Sequence, residues 1–76
     1  MPKLPVSMSG AQLVKVLIRI GYKIDHQTGS HIILRNNNPP FRRLTVPNHK
    51  ELAKGTLRAI IKEAGLTREE FFKLMK

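Results

Sequence analysis

Ser30-His31-Ile32-Ile33-Leu34-Arg35 is the stretch on which the fold turns. It is rich in apolar and β-branched residues, as a strand requires. Successive side chains of a strand point to opposite faces. Ser30, Ile32 and Leu34 therefore share one face, and His31, Ile33 and Arg35 share the other. Ile32 and Leu34 suit a face covered by other elements. His31 and Arg35 suit an open face, with Ile33 exposed between them. An antiparallel sheet with one packed and one solvated side produces this pattern. On the open side Ile33 reads either as cross-strand packing or as part of a partner surface.

The flanks supply the neighbouring strands. Upstream, Tyr22, Ile24 and His26 alternate with Lys23, Asp25 and Gln27, and Thr28-Gly29 forms a turn. On that parity His26 borders the core beside Tyr22 and Ile24. Downstream, Asn36-Asn37-Asn38-Pro39-Pro40 is a turn that cannot continue a strand. Phe41 to Val46 alternates again, with Leu44 and Val46 on one face and Arg43 and Thr45 on the other, until Pro47 stops it. Three strands with short connections predict an antiparallel meander.

Helices bracket the meander. Residues 1–8 hold two prolines and read as an extended arm. Ser9 with Gln12 three residues on is a capping-box signature. Leu13, Val14, Leu17, Ile18 and Ile20 then make one apolar side, with Val16 at its edge, and Gly21 reads as the C-cap of a helix over 9–20. After a polar segment from Asn48 to Lys54, Gly55 opens a second helix with Leu57, Ile60, Ile61 and Ala64 as its stripe and Gly65 as its cap. Thr67 with Glu70 is a second capping box, opening a short last helix that packs Phe71, Phe72, Leu74 and Met75. The order is α-β-β-β-α plus a C-terminal helix: an α+β fold in one domain spanning 1–76. Both main helices have one apolar side, so the simplest burial puts them on the same sheet face. That arrangement is like a double-stranded-RNA-binding domain.

Composition narrows the function. The 76 residues carry 14 Lys and Arg against 5 Asp and Glu, a formal net charge of +9, with a pI near 10.8. Such a charge, spread over the chain, points to nucleic acid. The chain is too short for a two-domain cofactor enzyme. It has no cysteine, hence no disulfide framework and no thiolate zinc site, which suits a reducing cytoplasm. No apolar run approaches a membrane span, and Met1-Pro2-Lys3-Leu4-Pro5 lacks the core of an export signal. The expected partners therefore include no membrane, and no cofactor is expected.

The titratable residues narrow it further. Asp25 is the one aspartate, and Glu51, Glu63, Glu69 and Glu70 all lie in the C-terminal half. No acidic cluster suits two Mg²⁺ ions, and His26, His31 and His49 lack close metal-ligand spacing. Histidine acid–base chemistry remains, because His31 can move protons near neutral pH. RNA is the nucleic acid for which that suffices, since its own 2′-OH can attack the adjacent phosphodiester. Lys23, Ser30, Arg35 and Arg43 are candidate RNA contacts around His31. Lys50, Lys54 and Arg58 are further candidates near the second helix start, where Gly55 and Thr56 amides could meet a phosphate.

Gly29-Ser30-His31 before a strand, then Val46-Pro47-Asn48-His49, then Gly55-Thr56-Leu57-Arg58 running on through Ala64-Gly65-Leu66-Thr67 to Glu69-Glu70-Phe71, resembles the HicA toxins of toxin–antitoxin systems. The resemblance covers about Ser9 to Phe71. It implies a fold similar to double-stranded-RNA-binding domains and a metal-independent mRNA interferase that arrests translation. It implies mRNA and a HicB-type antitoxin as partners, with no DNA contact by this chain itself. The essential histidine of the family maps to His31. Family members often carry a basic residue just before that motif, where this chain has Gln27-Thr28. Two other readings stand beside it: a non-catalytic RNA-binding module using the same face, and a protein-interaction domain whose charge meets an acidic partner.

Overall fold

A computed structural model describes residues 8–75. The extended arm expected for residues 1–8 lies outside the described residues except at Met8. That residue is buried in the core, and its carbonyl accepts the Leu52 amide at 2.8 Å. The elements are α1 (Gly10–Ile18), β1 (Tyr22–Gln27), β2 (His31–Asn36), β3 (Arg43–Pro47), α2 (Lys54–Glu63) and α3 (Arg68–Met75). The strands form one antiparallel sheet in the order β1-β2-β3, with β2 in the centre. The expected α+β meander is present.

The parity of β2 holds from His31 onward. Ile32 pairs with Val46 and Leu34 with Leu44, and all four are buried. Leu13, Val14 and Leu17 from α1, Leu57, Ile60 and Ile61 from α2, and Phe71 from α3 complete that core. Among the described residues no helix covers the opposite face: His31 pairs with Pro47, Ile33 with Thr45 and Arg35 with Arg43. Ile33 is half-buried there rather than exposed.

Several boundaries move for local reasons. Ser9 and Gln12 make the reciprocal capping box, at 2.9 and 3.1 Å. Helix α1 ends at Ile18, not Ile20, because the Arg19, Ile20 and Gly21 amides each donate three residues back and tighten the last turn. Gly21 then takes φ +101°, which reverses the chain into β1 at no side-chain cost. Val16, expected at the edge of the stripe, is buried, as is Leu52 within the polar segment. β3 begins at Arg43 rather than Phe41, since Phe41 has φ +58°, outside the extended region. α2 begins at Lys54, one residue early. It closes in a Schellman motif, with the Leu66 amide on the Ile61 carbonyl at 3.1 Å and Gly65 on Lys62 at 3.0 Å. The Thr67–Glu70 box opens α3 as expected, at 2.9 and 3.1 Å.

Two contacts tie the frame together at the end that carries His31. The Gly10 amide donates to the His49 carbonyl at 2.9 Å, and the Asn48 amide to the Ser30 carbonyl at 2.8 Å. A Cβ on Gly10 would fall inside the Pro47 carbonyl oxygen, so the start of α1 lies directly on the end of β3.

Candidate functional site

The site is built at the tight connection between β1 and β2. The Thr28 amide donates to the His31 carbonyl at 2.8 Å, leaving Gly29-Ser30 as the loop. The His31 amide donates to Thr28 Oγ1 at 3.0 Å. His31 is thus fixed through its backbone while its ring stays exposed. Ser30 Oγ hydrogen-bonds His31 Nδ1 at 3.0 Å, which holds the ring and leaves Nε2 to the outside. The sequence reading placed Ser30 in the strand on the covered face. It lies in the turn instead, and its hydroxyl serves the open-face histidine.

The four basic and histidine positions expected on one face are brought together. Lys23 pairs with Arg35 across β1 and β2, Arg35 pairs with Arg43 across β2 and β3, and His31 lies on the same face, four residues before Arg35 on β2. Lys23, Arg35 and Arg43 are exposed. Lys50, Lys54 and Arg58 are exposed too but belong to the segment before α2 and to α2 itself, in the helix layer. The N-cap of α2 is Ala53, which offers no side-chain hydrogen bond, and its first turn holds no acidic residue.

His26 does not border the core. Ile24 pairs with Leu34, but His26 pairs with Ile33, because a bulge at Asp25 shifts the register. A bulge sets two residues against one and re-aims the side chains beyond it. His26 is carried to the open face with His31 and Arg35. Asp25 lies there as well, since its Oδ2 accepts from His26 Nδ1 at 3.0 Å and from Arg43 Nη2 at 3.3 Å. The hydrogen bond from His26 is the main cause that holds the Asp25 carboxyl below its ordinary value of 3.8. The charges of Arg35, His26 and Arg43 add to it, against the desolvation of the carboxyl. Arg43 is therefore ion-paired rather than free, and Asp25 is a member of the site that residue-by-residue reading missed. The only signal for it was a lone aspartate among basic residues.

Arg42 and Arg19 have other tasks. Arg42 Nη1 donates to the Glu63 carbonyl at 2.8 Å, and Arg19 Nη1 to the Leu74 carbonyl. Both put a cation on the negative end of a helix, α2 and α3 respectively, where it is favoured. Among the described residues no three His, Asp or Glu side chains gather as a metal-holding group, and no helix is long and apolar enough to cross a membrane.

The open face can hold a phosphate chain against Lys23 and Arg35 and move a proton at His31 Nε2. The family model described as the HicA toxin of bacterial toxin–antitoxin systems matches residues 10–66. No curated protein matches the chain.

Proposed function

The chain belongs to the HicA toxin family, and we propose that it is an endoribonuclease that cuts mRNA by proton transfer through His31. The observation that carries this reading is His31 itself. It is an exposed ring with its Nδ1 engaged by Ser30, on an uncovered sheet face that it shares with Arg35 and Lys23. Such a group can take the proton of a 2′-OH or deliver one to a leaving 5′-oxygen. The 2′-oxygen forms its bond to phosphorus as the P–O5′ bond breaks, leaving a 2′,3′-cyclic phosphate and a 5′-OH. Arg35 and Lys23, four residues further along the same face, hold neighbouring phosphates of the strand by charge. Arg43, shared with Asp25, orients that row. Lys50, Lys54 and Arg58 take phosphates further along the strand, where α2 presents uncapped amides.

The protein acts in the cytoplasm, where its substrate is. A HicB-type antitoxin silences it by covering the open face. The direct test is incubation of RNA with the protein in EDTA beside His31→Ala. Wild type should cleave, and the variant should lose at least about 10²-fold, the usual share of a general acid–base group. Equal cleavage by both, or strict dependence on a divalent metal, would remove the assignment. Salt-sensitive binding with no cleavage by either would leave an RNA-binding module instead.

A further inference from the structure

We infer that His26, aimed by Asp25, is the second proton-transfer group of the same reaction; this rests on the reading of His31. Cleavage of RNA through its 2′-OH needs two transfers on opposite sides of one phosphate. One group removes the 2′-OH proton and another supplies a proton to O5′. The bond O2′–P forms and the bond P–O5′ breaks. One proton is taken and one is given, so the balance closes with no further reactant.

The bulge at Asp25 is the observation behind the inference. Without it, regular alternation would leave His26 on the covered side with Tyr22. With it, His26 pairs with Ile33, two residues along β2 from His31 and on the same open face. Diagonal neighbours across antiparallel strands stand about 7–8 Å apart. Two imidazoles at that spacing can each reach about 3 Å to one side of a single phosphate. Half-buried Ile33 lies on the same face, opposite His26 and two residues from His31.

The ring of His26 is also oriented. An ionised carboxylate only accepts hydrogen bonds, so His26 Nδ1 carries the hydrogen shared with Asp25 Oδ2 at 3.0 Å. That leaves Nε2 as the atom that meets the RNA, as at His31, where Ser30 engages Nδ1. Asp25 is in turn tied across the sheet to Arg43. The histidine side chain remains 58% exposed, so RNA can reach it. Each histidine therefore has one nitrogen anchored and one presented.

The charged and titratable groups facing His26 are Lys23 and Asp25 on its own strand, His31 and Arg35 on β2, and Arg43 on β3. A reaction that uses one group as base and another as acid gives a bell-shaped dependence of rate on pH.

The test uses the full chain with wild type, His26→Ala, Asp25→Ala and His31→Ala. Each is checked for folding by its thermal transition and for binding to a 2′-O-methyl RNA that cannot be cut. The expected result is a saturating cleavage rate down at least about 10²-fold in His26→Ala, with analogue binding within about threefold of wild type. The bell-shaped profile should collapse to a single limb. Asp25→Ala should fall less, by roughly tenfold, keeping both limbs. A His26→Ala protein that cleaves at the wild-type rate would overturn the inference. So would one whose loss is wholly in analogue binding with both limbs intact. Full activity in His31→Ala would instead sink the reading of His31, whatever His26→Ala does.

Discussion

At His31 the backbone is held and the ring is exposed, and that combination comes from a two-residue loop. Thr28 binds the amide and the carbonyl of His31, and Ser30 engages the ring. Neither contact is visible as a motif beyond Gly29-Ser30-His31. His31 and Arg35 could be placed on the open face from alternation alone. Asp25 could not, because its role depends on partners on β1 and β3. At the same scale, Gly10 is a steric requirement: Gly10→Ala must push α1 off the Pro47 carbonyl. Overpacking of this kind costs about 1–3 kcal/mol. Chemical denaturation should show that loss with an unchanged denaturant slope.

Elements were legible where local chemistry decides them. Both capping boxes form as read, at Ser9–Gln12 and Thr67–Glu70. Ser9→Ala should therefore cost about 1 kcal/mol, which lowers the melting temperature by about 4–8 °C for a domain of this size. What local pattern missed was register. Tyr22, Ile24 and His26 look like one regular strand face, yet the bulge sends His26 to the other side. Pairing with β2 decides that, and it acts across strands. The Asp25 pairing also gives the sheet a pH dependence. Its carboxyl is held below 3.8 in the fold, so its contribution is present above that value and fades as pH falls through the lower folded one. Glu70 behaves likewise from 4.5 downward, through the Thr67 hydrogen bonds. Denaturation midpoints taken from about pH 6 to about pH 2.5 should fall less steeply for Asp25→Asn with Glu70→Gln than for wild type.

For the whole molecule, the +9 charge divides by layer. Lys23, Arg35 and Arg43 lie on the uncovered sheet, which also carries His31, and Lys50, Lys54 and Arg58 stand in the helix layer. Charge alone pointed to nucleic acid. The folded distribution separates a cross-strand row on the open sheet face from cations in the helix layer. Binding of an uncleavable single-stranded RNA should thus weaken linearly in log salt, and Arg35→Ala should reduce the slope by about 0.7, the value of one phosphate contact. The central claim is that RNA supplies its own nucleophile while this face moves the protons. End-group analysis of RNA cut by wild type in EDTA tests it most directly. The account predicts 2′,3′-cyclic phosphate and 5′-OH ends, and no cutting of RNA carrying a 2′-O-methyl at the scissile nucleotide. Ends bearing 5′-phosphate and 3′-OH, or cleavage of the methylated RNA, would contradict it.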